Sequence, residues 1–200
     1  MLIKSMTLLV ASTLTLAACD KASTEESKPA EQTSATNTTP SKTEISSDHF
    51  TDNRPPEVKN LLEIKQTAKK GDQVVFLARV GGKANPFIDK KAIFLAADPS
   101  LVSCELMGEE DHCIYPEDYC CEDPANLRAG LATIQFVDQS GSPINVSAEG
   151  AGGLESLKFI VVDGEVRDRN DEGLFIVDAR QVWVGGKPNR QNPTAGSLSP

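Results

Sequence analysis

Cys104, Cys113, Cys120 and Cys121 are separated by eight residues, six residues and none, with Met107, Asp111, His112, Asp118 and Glu122 close by. Sulfur at this density supports three kinds of chemistry: pairing into disulfides, thiolate binding of a soft metal, and thiol exchange. In an oxidising compartment an even number of cysteines within one loop predicts two bridges. Of the three possible pairings, the one joining Cys120 to Cys121 forces a strained small ring. The other two each link one of Cys104 and Cys113 to one member of the adjacent pair, and both stay open. Each bridge would contribute about 2 to 4 kcal/mol in the chain-entropy picture, enough to hold a loop of low apolar content. The alternative is a zinc or copper site on His112, Cys113, Cys120 and Cys121, or a thiol-redox protein using the same 104–121 cluster. A Cys-x-x-Cys spacing, common to many metal and redox sites, is absent.

Other catalytic patterns are missing. His49 and His112 are the two histidines, and His49 falls at the edge of a polar segment, which leaves one candidate base for a serine or cysteine nucleophile. No nucleophile elbow occurs, and Glu149-Gly150-Ala151-Gly152-Gly153 lacks the strand-then-helix setting of a phosphate loop. Glu109-Glu110-Asp111 reads as a hydrated charge run rather than a calcium loop. The expectation is a non-catalytic protein with no cofactor.

The N-terminus sets the compartment. Lys4 gives a positive start, and residues 6–16 form an apolar core too short for a permanent membrane span. Small residues then precede a cysteine in Leu16-Ala17-Ala18-Cys19. This order resembles a bacterial lipoprotein signal. The resemblance implies cleavage before Cys19, a palmitate-type lipid on that residue, and a folded part held at a membrane surface facing the periplasm of the cell envelope. In the lipoproteins it resembles, an acidic residue such as Asp20 favours inner-membrane retention. Loss of residues 1–18 removes Lys4 and no acid, so the formal charge of −9 becomes −10. An acidic surface of this kind disfavours nucleic acid, and leaves membrane attachment to the lipid.

Residues 19–54 are rich in Ser, Thr, Glu, Pro and Ala and poor in large apolar side chains, which predicts a disordered tether. Residues 186–200 read as a loose tail. Between them, 55–185 is the size of one domain. It opens with Pro55-Pro56 and then Val58, Leu61, Leu62, Lys65 and Ala68 at helical spacing, closing on Lys69-Lys70-Gly71, the punctuation of one helix with an apolar stripe. From there the period changes to that of strands, at 73–80, 91–98, 131–138, 159–167 and 174–184. A short hairpin at 141–148 and a helical turn at 150–157 are expected before the fourth strand. Five strands with a long excursion between the second and third predict an all-β closed barrel.

The run Gly71-Asp72-Gln73-Val74-Val75-Phe76-Leu77-Ala78-Arg79-Val80-Gly81-Gly82 looks like the first strand of OB folds, and Leu157-Lys158-Phe159-Ile160-Val161-Val162-Asp163-Gly164-Glu165-Val166 like their fourth. Residues 71–184 as a whole are similar to a group of secreted bacterial OB-like proteins that carry a Pro-Phe pair, here Pro86-Phe87, and an Asp-Tyr-Cys-Cys-Glu element, here 118–122. Glu117 stands where such sequences commonly have tryptophan. The resemblance implies an OB-like five-stranded barrel with an N-terminal helix and a disulfide-rich insertion between strands 2 and 3. It implies a fold and no established activity; the expectation for the chain is a non-catalytic binding or assembly module, towards an envelope protein or small ligand. OB barrels bind between the loops joining strands 1 to 2 and 4 to 5, which makes Lys83, Asn85, Phe87, Lys90 and Lys91 the candidate ligand loop. The second of those loops, 168–172, is mostly acidic. Phe94, Phe136 and Trp183 sit within apolar runs and read as core.

Overall fold

A computed structural model describes residues 44–107 and 113–188. Cys19, Asp20, His112 and the far C-terminus lie outside the described residues. In chain order the elements are a 3-10 turn Ser47–His49, β1 Phe50–Thr51, β2 Lys59–Asn60, α1 Leu61–Thr67, β3 Gln73–Val80, β4 Ile93–Ala97, two 3-10 turns Cys104–Leu106 and Pro116–Asp118, α2 Pro124–Gly130, β5 Leu131–Gln135, a turn Ala151–Gly153, β6 Phe159–Arg169 and β7 Phe175–Val184.

β3 pairs antiparallel with β4, and β4 with β5; β5 runs parallel to β7, which pairs antiparallel with β6, and β6 returns antiparallel to β3. The ring is closed, so these five strands expose no unpaired edge between them. It is an all-β, OB-like barrel, as the strand pattern predicts. Alternation places Val74, Phe76, Ala78 and Val80 of β3 inside with Phe94, Ile134, Phe136, Ile160, Val162 and Val177. Phe94 and Phe136 are fully buried and Trp183 nearly so, which fits their reading as core. β6 and β7 shift register at Asp163/Gly164 and again at Val166/Asp168. At the first shift a Cβ on Gly164 would run into the Asp178 carbonyl oxygen, so the bulge that bends this ribbon needs glycine.

Several boundaries differ from expectation. The helix begins at Leu61, not at Pro55, because the prolines belong to an extended strap. That strap pairs β1 parallel to β7 and β2 parallel to β3, and packs Val58 on an outer cluster of Leu77, Phe159, Val161 and Trp183. The ordered domain accordingly starts before residue 55. Ile45 is buried, Phe50 stacks on Phe136 at 5.5 Å, and His49 Nδ1 donates to the Arg180 carbonyl at 3.0 Å. A few apolar side chains in a polar segment suffice to dock it. At the other end, the Gly186 carbonyl accepts from the Phe159 amide at 2.9 Å and Pro188 is buried, so the tail cannot begin at 186. The expected 141–148 hairpin is a tight turn with one bridge, Val137 to Pro143. Among the described residues, no helix is long and apolar enough to cross a membrane.

Candidate functional site

The insertion between β4 and β5 folds back over the outer face of the barrel. Its anchor is a small cluster of Ala97, Leu101 and Tyr119, with Leu127 and Leu131 against it. Asp98, 1% exposed, ties its base to α1. One carboxylate oxygen accepts the Leu62 amide at 2.6 Å, and the other accepts the Ser100 amide and hydroxyl.

Beneath the insertion lies Arg79 of β3, fully buried. Its guanidinium donates to Ser103 Oγ at 2.8 Å and to the Leu101 carbonyl at 2.5 Å, and lies 3.7 Å from Glu105. It also faces the rings of Tyr119 at 5.4 Å and Phe159 at 5.7 Å. Tyr119 is itself fully buried and adopts a left-handed backbone, φ 55°. Its ring fills the space beside Gly81, where a Cβ would come within 2.7 Å of Tyr119 Cε2. Burial pushes the Tyr119 phenol up to about 12, against the opposing pull of Arg79. Arg79 Nε, Glu105 Oε2 and the Tyr119 hydroxyl are buried with no hydrogen-bond partner among the described residues.

This frame brings the sulfurs together. Cys104 opens a 3-10 turn directly after Ser103, and Cys120 and Cys121 follow the left-handed Tyr119. The four Sγ atoms all lie within 4.8 Å of one another, with Cys104 buried, Cys113 half-buried and the vicinal pair exposed. Cys120 is the hub, at 2.6 Å from Cys113, 3.7 Å from Cys104 and 3.8 Å from Cys121. Donation from Cys113 and then Cys104 holds the Cys120 thiol below its usual range, while Cys121, hydrogen-bonded to Cys120, is raised. A disulfide needs sulfurs about 2.05 Å apart, so even the closest pair is gathered without being bonded. Glu122 closes the arrangement by accepting from Asn126 at 2.8 Å and from the Val102 amide at 3.4 Å. Its carboxyl is held low, chiefly by Asn126.

The candidate ligand loop fares differently. Phe87 is 4% exposed, bridges to Phe94 and stacks on it at 5.9 Å; it is a core residue and not a ligand platform. The reason is strand-like pairing at the loop's end, which carries the ring inward. Asn85 accepts the Phe87 amide at 3.1 Å, and Lys91 donates to Asn145 at 2.5 Å. Lys83 and Lys90 remain exposed. The register of β3 with β6, Arg79 to Phe159 and Gln73 to Glu165, puts this loop and the 170–174 loop at opposite ends of the β3/β6 ladder.

At that second end an open cleft of about 420 Å³ is lined by Lys65, Arg128, Arg169 and Glu172, among others. Lys65, counted by its spacing in the apolar stripe, is 8% exposed, and its ammonium donates to the carbonyls of Arg128, Leu131 and Gly173 at 2.6 to 2.8 Å. Desolvation, with Arg169 adding to it, lowers Lys65 to about 8. Its three donors are occupied, so Lys65 is a structural pin. The structural roles of Arg79, Tyr119, Lys65 and Asp98 are not read from the sequence. For Lys65 the available signal was a charged residue within an apolar helical stripe.

The fold and site define an OB-like barrel with a thiol-clasped insertion. Comparison of the chain with protein-family models, curated proteins and solved structures gives no match.

Proposed function

We propose that the protein is a lipid-anchored, periplasm-facing OB-like module of the bacterial cell envelope that binds or helps assemble an envelope protein or small ligand, without catalysis. The observation that carries this reading is the closed barrel with a long insertion seated on its outer face, taken together with the lipoprotein-type Leu16-Ala17-Ala18-Cys19 run in the sequence. The likeness to secreted OB-like proteins points the same way. In this reading Cys19 is the lipidated first residue of the mature chain, and Asp20 favours the inner membrane. The insertion is closed by two disulfides. Proximity favours Cys113 with Cys120, which leaves Cys104 to Cys121.

Three measurements test it. Fractionation of cells carrying Cys19→Ser should move the protein from the membrane to the soluble periplasm; retention in the membrane would refute the anchor. A thiol count on protein purified without reductant should find none at positions 104, 113, 120 and 121, and elemental analysis no metal. Peptide mapping then reads the pairing. Finally, a partner cross-linked to the parent in envelope extracts should be lost when Lys83, Lys90 and Lys91 are replaced by glutamate. Undiminished capture of that partner would remove the 81–92 loop from the binding surface.

A further inference from the structure

We propose that, with its thiols reduced, the same cluster is a binding site for one soft, thiolate-seeking d10 ion of the zinc or copper(I) class, with Cys104 as its buried ligand. This goes beyond the module reading, in which the cluster is oxidised: bridging and metal binding are two mutually exclusive ways to close one loop. Zinc–thiolate bonds of about 2.3 Å in a tetrahedron set sulfurs about 3.8 Å apart. The Cys104–Cys120 and Cys120–Cys121 separations, 3.7 and 3.8 Å, already match that edge. The 2.6 Å contact between Cys113 and Cys120 must open by about 1.2 Å to reach it, a shift within reach of a rotamer change at a half-buried side chain.

The ligands come from two sides of the insertion, and each side is fixed by something other than sulfur. Cys104 follows Ser103, whose hydroxyl is held by buried Arg79. Cys120 and Cys121 follow Tyr119, whose ring is wedged between Gly81 and Arg79. A site assembled before the ion arrives loses little ordering entropy on binding. Four thiols plus a divalent ion give a tetrathiolate complex and four released protons, so affinity should rise with pH. A monovalent ion requires fewer sulfurs, and the triangle of Cys104, Cys120 and Cys121 then suffices. Among the described residues Cys104 is the fourth ligand, one that sequence spacing did not offer.

The test uses the purified full-length chain, reduced with a phosphine under argon and titrated separately with zinc, with cobalt(II) as zinc's spectroscopic stand-in, and with copper(I). The expected result is one ion retained per chain after gel filtration, an intense thiolate-to-cobalt charge-transfer band, and no retention by the oxidised protein. Cys121→Ser, at an exposed position that leaves the core intact, and Cys104→Ser should each weaken retention by more than about tenfold. Failure of the reduced parent to hold a stoichiometric ion overturns the proposal, as does undiminished binding by both cysteine variants. Neither outcome bears on the module reading, which stands or falls on the thiol count of the oxidised protein and on the fractionation.

Discussion

Arg79 and Tyr119 show how much a single buried charge can organise. A guanidinium withdrawn from water requires partners around its whole rim. Here Ser103, the Leu101 carbonyl, the nearby Glu105 carboxylate and two aromatic faces surround its two terminal nitrogens, while Nε has no hydrogen-bond partner among the described residues. The Tyr119 hydroxyl is likewise buried with no partner within hydrogen-bond geometry among the described residues. Tyr119→Phe should therefore change stability by less than about 1 kcal/mol, whereas Tyr119→Ala, which empties the ring's site, should lose about 3 to 5 kcal/mol; urea unfolding of the two variants checks both. The phenol's rise to about 12 favours its protonated form in the fold, so this stabilisation is complete below the unfolded value near 10 and is lost as pH climbs towards 12. Lys65 has the opposite sign. Its value of about 8 lies below the ordinary 10.5, so between those limits the unfolded chain holds more protons and stability rises with pH. Denaturation midpoints at pH 7.5 and pH 9.5 should show that rise in the parent and not in Lys65→Met.

At the scale of elements, short pieces are held by side chains and not by their own length. α1 has seven residues, too few to be stable alone. It persists because Asp98 caps its Leu62 amide and Lys65 fastens it to α2, β5 and the β6–β7 loop. Asp98→Ala should cost about 1 to 2 kcal/mol, the usual range for a lost N-terminal cap, as read by chemical denaturation. The insertion depends on sulfur in the same way. Cys104→Ala should lower the thermal midpoint of the oxidised protein by several degrees, in line with about 2 to 4 kcal/mol for one bridge. Melting at the parent's temperature would show that the loop needs no clasp.

At the scale of the whole domain, the described residues form a closed barrel that carries a strap and an insertion. The strap's β1 and β2 pair with β7 and β3, and its Arg54 lies 5.6 Å over the Trp183 ring. A chain beginning at Glu44 should therefore unfold at a higher denaturant concentration than one beginning at Pro55. The same midpoint for both would mean that the strap adds nothing to the fold. The acidic net charge, −9 over the full chain, lets salt weaken self-repulsion, so this comparison belongs at one ionic strength.

Local pattern determined the barrel. Strand period, glycine and proline punctuation and apolar runs are properties of neighbours in the chain, and they gave 73–80 to the residue and the other four strands within three residues at each end. The concentration of cysteines likewise marked the candidate site without any coordinates. The strap, the burial of Phe87, and the partners of Arg79 and Lys65 depend on residues far apart in sequence, so apart from the charge of Lys65 within an apolar stripe their own neighbourhoods do not announce them. Cys104 is the sharpest case. Spacing alone offered His112 beside Cys113, but it is the left-handed turn at Tyr119, wedged against Gly81 and Arg79, that points Cys120 towards Cys104. Which sulfurs meet was decided by the packing of one ring.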